Sequence, residues 1–271
     1  MRRALRHGAA ILAAAAVLVG CQSVQTTGGG QVGVSRSQLM MVSAQEVEQV
    51  SAQQYQEVLD DARKKGVLNR DARQLARVRQ ITNRLVAQVG AFRPDARGWA
   101  WETNVIRSDE LNAWCMAGGK MAIYTGLIDR LKLSDDEIAA VMGHAIAHAL
   151  REHARERVSR SMATGIGVSI AGALLGAGQA GQDLMGQLAS VTFVLPHSRL
   201  HETEADRIGV ELAARAGYDP RAAVGLWDKM AAHSSGAPPQ WLSTHPSHAD
   251  RQRELAAASE RVMPLYQAAR R

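Results

Sequence analysis

Aromatic side chains are scarce in this chain of 271 residues, where they make up 4% of the total and include two phenylalanines. Proteins that bind single-stranded nucleic acid stack bases on aromatic rings within basic grooves, so this scarcity argues against that function. The formal charge of +6 does not change the conclusion, because Arg2, Arg3 and Arg6 lie in a segment that we expect to be removed, which lowers the charge to +3. We therefore expect no nucleic-acid partner.

Cysteine is equally scarce, because the chain contains Cys21 and Cys115 alone. We expect Cys21 to be acylated, which leaves Cys115 without an intramolecular disulfide partner even in an oxidising compartment. A C-x-x-C-H haem-attachment motif is also absent, and carboxylates stand where soft ligands are expected. These absences argue against a haem or electron-transfer protein.

The N-terminal apolar run, residues 9–19, is too short to cross a bilayer. Arginines precede it and Leu18-Val19-Gly20-Cys21 follows, which resembles a bacterial lipobox. The resemblance implies a signal peptide over residues 1–20 and a lipid anchor at Cys21, on the periplasmic side of the cell envelope. Gln22 favours the outer membrane. The alternative is a plain secretory signal with an incidental cysteine.

The residues that follow Cys21 are rich in Gly, Ser, Thr and Gln, so we predict a flexible tether over residues 21–43. The remainder, residues 44–271, suits one domain, because 46% of the chain is hydrophobic and 21% is charged. Residues 161–182 carry no charge, which permits a membrane span or a helical hairpin. Their six glycines favour a hairpin packed over a cleft.

Hydrophobic periodicity predicts an α+β domain that is mostly α-helical. Helical patterns cover residues 44–65 and 70–89. Alternation over residues 99–105 indicates a strand, and residues 112–116 and 120–124 flank a Gly-containing turn. These segments predict a small antiparallel sheet.

A capping box, Ser134 with Glu137, predicts a helix that begins at Asp135 and is apolar enough to be buried. It carries His144 and His148, which share one face, as H-E-x-x-H presents two nitrogen ligands to Zn²⁺.

Ala145 stands where that motif has a glutamate, so the general base that takes a proton from zinc-bound water is missing. A pair of core histidines bonded to backbone is the alternative interpretation of an isolated H-x-x-x-H.

Glu202 and Asp206 also stand four residues apart on one predicted helical face. Glu202 can complete three protein ligands and leave a fourth position open to water, as in catalytic zinc sites. Asp206 can accept the other N–H of a ligating imidazole. Taken alone, these carboxylates also suit a solvated face paired with Arg199 and Arg207. Taken with the histidine helix, they favour the metal site.

Four ordered motifs resemble the zinc metallopeptidase family that includes the CAAX prenyl protease, HtpX, BepA and LoiP. They are Asn112-Ala113-Trp114 through Gly118-Gly119 to Thr125-Gly126-Leu127, the histidine helix, Glu202-Thr203-Glu204-Ala205-Asp206, and Ser243-Thr244-His245-Pro246 followed by Arg251. The resemblance implies a zincin-like domain with one Zn²⁺ per chain, bound by His144, His148 and Glu202 and supported by Asp206.

The same resemblance implies roles for further residues. Asn112, Gly119, Lys120 and Met121 would border the substrate cleft. His245 would occupy the fourth zinc position at rest, and Arg251 would lie close to the site. Two alternatives have equal weight: His245 is an ordinary loop histidine, and Arg251 is a charge on a helix surface. No motif supports four other histidines, which we interpret as surface or helix-end residues: His153, His197, His201 and His248.

The implied function is endopeptidase hydrolysis of misfolded or unassembled envelope proteins, bound in extended form at a sheet edge. General acid–base catalysis contributes roughly 10² to 10⁴ in rate. Because Ala145 supplies no base, we predict that the chain as written is inactive or strongly impaired. We favour a general-base knockout of an active parent. The alternative is a natural pseudoprotease that acts as a chaperone or holding factor for outer-membrane proteins.

Overall fold

The computed structural model describes residues 22–163, 177–232, 240–246 and 250–271, so the expected signal peptide and Cys21 fall outside it. The described chain is mostly helical with small sheets, which confirms the α+β fold class. The strands are β1 (Gln22–Val24), β2 (Gln38–Met40), β3 (Glu102–Ile106), β4 (Ala113–Met116) and β5 (Lys120–Tyr124). The helices are α1 (Ala44–Lys64), α2 (Ala72–Val86), α3 (Thr125–Arg130), α4 (Asp135–Leu150), α5 (His153–Ala163), α6 (Ala177–Phe193), α7 (Arg199–Arg215), α8 (Ala222–Ala232), α9 (Gln240–Thr244) and α10 (Arg251–Ala269), with 3₁₀ turns at Val89–Ala91 and Pro94–Gly98.

Strands β3, β4 and β5 form one sheet in the order β3-β5-β4. β4 and β5 are the expected antiparallel hairpin, and Gly118 and Gly119 in its turn have φ values of 74° and 83°, which side chains rarely adopt. β3 pairs parallel to β5, so the sheet is mixed rather than wholly antiparallel. β4 runs antiparallel to β5, and β5 runs parallel to β3. β5 lies between the other two strands, so the sheet contains one parallel and one antiparallel pair. β4 is therefore left at an edge.

Helix α4 begins where the capping box predicts. Ser134 Oγ accepts the N–H of Glu137, whose carboxylate accepts the N–H of Ser134. The helix is buried from Glu137 to its end. It crosses α7 backbone against backbone: a Cβ at Gly209 would lie 2.8 Å from the nitrogen of His144, and one at Gly143 would lie 2.9 Å from the oxygen of Gly209. The crossing therefore requires glycine on both helices, and it brings the two motif helices together.

Residues 22–40, which we call the N-terminal arm, are ordered, although their composition predicts a flexible tether. β1 pairs with β2, and Val32 and Val34 between them join the main hydrophobic core. The Glu211 carboxylate on α7 accepts the backbone N–H groups of Gln31 and Val32 at 2.7 and 3.1 Å. The tether prediction is wrong for these residues, because distant partners satisfy their backbone groups and their polar composition gives no sign of those partners.

None of the described helices is both long enough and apolar enough to cross a bilayer. The middle of the uncharged segment, residues 161–182, lies outside the described residues, so the predicted hairpin is not described. Beyond it, Leu188 and Val191 on α6 pack in one apolar cluster with Val47 on α1 and Val158 on α5. This packing places the end of α6 against α1 and α5.

Candidate metal centre

Three predicted ligands meet where α4 crosses α7. His144 and His148 project from one face of α4, and their Nε2 atoms are 3.0 Å apart. Glu202 on α7 places Oε1 3.3 Å from His148 Nε2 and Oε2 3.5 Å from His144 Nε2. Glu202 is fully buried, at 0% exposure, so the alternative of a solvated helix face is wrong.

His245 joins the same group from the residue after α9. Its Nδ1 lies 3.2 Å from His144 Nε2 and 3.0 Å from Glu202 Oε1. The ring stacks on Trp241, with centroids 4.2 Å apart, and the His245 N–H donates to the carbonyl of Trp241 at 2.8 Å. These contacts fix the ring against the donor group, which an ordinary exposed loop histidine would not show.

Asp206, one turn after Glu202, lies behind His144. Its Oδ1 is 2.9 Å from His144 Nδ1. Arg251, the first residue of α10, donates to both Asp206 oxygens at 2.7 and 2.9 Å and places Nη1 2.7 Å from Glu202 Oε2. Its guanidinium lies 3.8 Å from the ring centroid of Trp227. Arg251 is 1% exposed, so it is not a helix-surface charge.

Burial sets the charges of these groups. Loss of solvation lowers the pKa of His148 well below its usual value, and it lowers the pKa of His245 as well. Burial alone would raise the pKa of the Glu202 carboxyl, but the adjacent imidazoles, His245 first, hold it well below its usual range. Burial alone would also raise the pKa of Asp206. The positive charge of Arg251 has the larger effect, so the pKa of Asp206 is lowered. At neutral pH the lowered pKa values leave the imidazoles of His148 and His245 neutral and the carboxylates of Glu202 and Asp206 ionised.

The donor atoms fit a metal ion. Asp206 Oδ1 lies 2.9 Å from Nδ1 of His144, so Asp206 can accept the Nδ1–H of that ring while its Nε2 faces His148. Ligand atoms of His144, His148, Glu202 and His245 all lie within 4.8 Å of one another. Three imidazoles and one carboxylate thus offer nitrogen and oxygen atoms to a common point. Nitrogen and carboxylate donors of this kind suit divalent first-row metals.

Of the four histidines predicted to be surface or helix-end residues, His153 and His201 lie at helix ends but not at the surface. His153 and His201 are buried, at 0% and 3% exposure. The His197 ring lies 4.1 Å from that of His148. His248 lies outside the described residues. His153 follows His148 by five residues, across the break between α4 and α5, so helical periodicity gives no signal for their contact.

A cleft with about 740 Å³ of free space opens beside the donor group. Ala145, His148, His197 and His245 lie on one side of it, and residues of β4, α1 and α6 lie on the other. The methyl group of Ala145 therefore faces the cleft, in the motif position of the missing glutamate.

Glu48 and Glu152 are the carboxylate residues among the described residues that line this cleft. Glu152 is paired with Arg93 and Arg155, each at 2.5 Å. Burial raises the pKa of Glu48. Neither residue belongs to the donor group.

The sheet residues predicted to border the cleft do not line it. Its sheet side is formed by β4 and Ala117, because β5 is the central strand and is covered. Met121 is buried in the core, and Gly119 packs against the ring of Trp101. Lys120 Nζ donates to a backbone carbonyl at 2.5 Å, and Asn112 faces a separate depression. These four residues are therefore not among those that line this cleft, because the sequence does not reveal strand order, and their role at the substrate stays a prediction.

A buried group of two histidines and a glutamate, on crossing helices beside an edge strand and an open cleft, is the arrangement of zincin-like metallopeptidases. The comparison with known proteins agrees with this class. The model described as "Peptidase family M48" matches residues 72–259, so the chain belongs to peptidase family M48. The family predicted from the motifs is confirmed.

Several curated proteins are similar to this chain. Mitochondrial metalloendopeptidase OMA1 of Arabidopsis thaliana is 35% identical over 171 residues, 62% of this chain and 34% of that protein. Metalloprotease LoiP of Escherichia coli K12 is 26% identical over 246 residues, 90% of this chain and 92% of that protein. Beta-barrel assembly-enhancing protease of Yersinia pestis is 31% identical over 181 residues, 62% of this chain and 35% of that protein. The chain spans about a third of the OMA1 relative and most of LoiP.

Proposed function

We propose that this chain is a zinc-dependent endopeptidase domain of the bacterial cell envelope. In an active parent with glutamate at position 145, it would degrade misfolded or unassembled envelope proteins. The observation that carries the proposal is the convergence of His144, His148, Glu202 and His245. Membership of family M48 and similarity to Metalloprotease LoiP and the beta-barrel assembly-enhancing protease support it. We further propose that a lipid at Cys21 anchors the chain to the outer membrane, on the periplasmic side.

The chain's own residues have distinct tasks in this proposal. A zinc ion held by them supplies Lewis-acid chemistry and activates water. Asp206 orients His144, and Arg251 holds the carboxylates of Asp206 and Glu202 together. His245 closes the donor group at rest, because its Nδ1 already lies beside Glu202 Oε1.

The substrate would bind as an extended polypeptide along β4. An edge strand offers backbone donors and acceptors to another strand, so it recognises backbone rather than sequence. The cleft that adjoins β4 has Trp114, Met116, Val47 and Val191 in its wall. Apolar side chains of an unfolded polypeptide suit such a wall.

Position 145 determines whether binding leads to hydrolysis. A glutamate there would face the cleft, where it could take a proton from the attacking water and pass it to the leaving amine. Alanine cannot, so we propose that the chain as written binds zinc and substrate but cleaves poorly. Metal binding should persist, because Ala145 is not among the donor residues and alanine is a good helix former.

The test is an Ala145→Glu variant of the zinc-loaded chain. Cleavage of an unfolded protein, followed by the release of new amino termini, should be roughly 10² to 10⁴ times faster than in the chain as written. Ala145→Gln is the matched control, since it has the same size but accepts no proton, and it should stay near the original rate. Equal rates for both variants at full zinc occupancy would contradict the active-parent proposal.

Zinc content separates the metal site from its activity. The chain as written should bind one zinc ion, and Glu202→Ala should remove most of that binding. Bound zinc that is unaffected by Glu202→Ala would contradict the proposed ligand set.

Ala145 also favours a second candidate function, a natural pseudoprotease that holds unassembled outer-membrane proteins. An intact donor group and cleft without a base are what such a holding factor would retain. This candidate predicts that the chain as written retains unfolded outer-membrane proteins in a pull-down and that Ala145→Glu restores no cleavage. Restored proteolysis without retention would argue against it.

A further inference from the structure

His153 connects a proposed metal ligand to a buried carboxylate. Its Nδ1 is 2.9 Å from Nδ1 of His148, and its Nε2 is 3.0 Å from Oε2 of Glu204. The ring is 0% exposed, and none of the tasks proposed above uses it. His153 begins α5, while Glu204 lies on α7, so the contact joins three helices through one imidazole.

The direction of these hydrogen bonds follows from the carboxylate, because an ionised carboxylate can only accept. Glu204 accepts the Nε2–H of His153, and the neutral ring then has a lone pair on Nδ1. That lone pair accepts the Nδ1–H of His148, which leaves Nε2 of His148 free to face the donor group. Asp206 has the same effect on His144 without an intermediate ring.

Glu204 is itself held by two guanidinium groups. Arg151 places Nη2 3.1 Å from its Oε1, and Arg36 places Nε 2.8 Å from Oε1 and Nη2 3.0 Å from Oε2. Arg151 also donates to the hydroxyls of Thr26 and Thr27 in the N-terminal arm, each at 3.2 Å. The N-terminal arm therefore helps to hold the Glu204 carboxylate in place. That carboxylate determines which nitrogen of His153 carries the proton.

His153, Glu156 and His201 lie close enough together to hold a second ion, but a side-chain cation already occupies this cluster. Arg36 donates to both oxygens of Glu156 at 2.7 Å. His201 Nε2 lies 3.2 Å from the same carboxylate, and Glu204 engages Nε2 of His153. The cluster is an ion-paired network rather than an open metal site.

We infer that His153 is a positioning residue for His148: together with Glu204 it fixes the tautomer and ring orientation of that ligand, and Arg36 links the N-terminal arm to this support. The inference rests on the metal site proposed above. Partners behind metal-binding histidines typically change metal affinity by roughly 10-fold to 100-fold when they are removed. The effect is therefore measurable without proteolysis, which Ala145 suppresses.

The direct test is a ¹H–¹⁵N correlation spectrum of the histidine side chains in the zinc-loaded chain. We expect His148 as the Nδ1–H tautomer with Nε2 on zinc, and His153 as the Nε2–H tautomer. A His153 ring protonated on Nδ1, or a His148 ring bound through Nδ1, would overturn the inference.

Matched substitutions give a second test. In His153→Leu both hydrogen bonds are lost, and zinc affinity measured against a competing chelator should fall by roughly 10-fold to 100-fold. His201→Leu is the control, because the two rings stack at 4.2 Å but His201 bonds Glu156 instead, so its loss of affinity should be smaller than the roughly 10-fold minimum expected for support of a ligand. His153→Gln retains a donor for Glu204 and should recover part of the loss. Equal losses for both leucine variants would overturn the inference.

The two proposals fail in different ways. A chain that binds no zinc would overturn the proposed function and this inference together. Full zinc binding with unchanged affinity in a folded His153→Leu variant would overturn the inference alone. If that variant does not fold, the tautomers of His148 and His153 in the spectrum of the unsubstituted chain still test the inference. Two zinc ions per chain would also overturn the inference, because His153 would then be a ligand.

Discussion

The two histidines of α4 are supported by different parts of the molecule. His144 meets its carboxylate, Asp206, directly, and that carboxylate lies one turn from Glu202 on the same helix. His148 reaches the carboxylate of Glu204 through a second imidazole, and the N-terminal arm holds that carboxylate from the far side. The first support lies within one helix pair, whereas the second draws on four separate segments. Local sequence spacing therefore predicts the support of His144 but not that of His148.

This difference implies a gradation of effects. A change at Asp206 acts on a ligand at once, whereas a change in the arm reaches His148 only through Glu204 and His153. Each intermediate contact can relax, so the effect on the metal should weaken with each step. Removal of groups at increasing distance tests this gradation.

The largest effect should follow Asp206→Ala. His144 loses the acceptor that sets its tautomer, so zinc affinity against a competing chelator should fall by roughly 100-fold. Arg251 keeps its buried charge but loses its principal partner, so the free energy of unfolding should fall by about 3–5 kcal/mol in urea titrations. Asp228→Ala, at an exposed position, is the control. An unchanged zinc affinity would show that Asp206 has a structural role only.

A smaller effect should follow Arg36→Met. Zinc affinity should fall less than about tenfold, because Arg36 acts on His148 through two intermediates. The free energy of unfolding should fall by about 1–3 kcal/mol, because the buried Glu156 and Glu204 lose a partner. Arg63→Met removes an exposed helical pair and should change stability by about 0.5 kcal/mol or less. A loss of affinity equal to that in Asp206→Ala would contradict the gradation.

The smallest effect concerns pH and the metal-free chain. Burial opposes ionisation of Glu156, but hydrogen bonds from His201, Arg36 and Gln38 hold its pKa well below the ordinary value of 4.5. Because the pKa is lower in the folded state, Glu156 stabilises the fold above pH 4.5, and this contribution is lost as the pH falls towards the folded value. Urea midpoints at pH 6, 5 and 4 with a chelator present should therefore decrease. Glu156→Gln should show a shallower decrease, and an equal slope would exclude Glu156 as the cause.

Much of the candidate site follows from local sequence, because its signals span only a few residues. The capping box at Ser134 fixes the start of α4, and four-residue spacing places His144 with His148 and Glu202 with Asp206 on single helix faces. These spacings are dictated by helix geometry, so they do not depend on the rest of the fold.

Other features depend on contacts between distant segments. The N-terminal arm has the composition of a linker, but Glu211 satisfies its backbone groups from about 180 positions away. The central position of β5 could not be predicted, because the pattern around Lys120 and Met121 indicates a strand but not its neighbours. His153 gives no periodic signal, and its task depends on which nitrogen carries the proton. Such information resides in tertiary contacts alone.

The glycine pair at the crossing of α4 and α7 bears on ion size. Gly143 and Gly209 allow the two backbones to touch, which sets the gap between the imidazoles on one helix and the carboxylate on the other. A side chain at either glycine would widen that gap without altering a single ligand, and the enlarged cage would favour a cation of greater radius than zinc. In a designed metalloprotein, the separation of two helix axes can therefore select the ion while the coordinating residues stay constant.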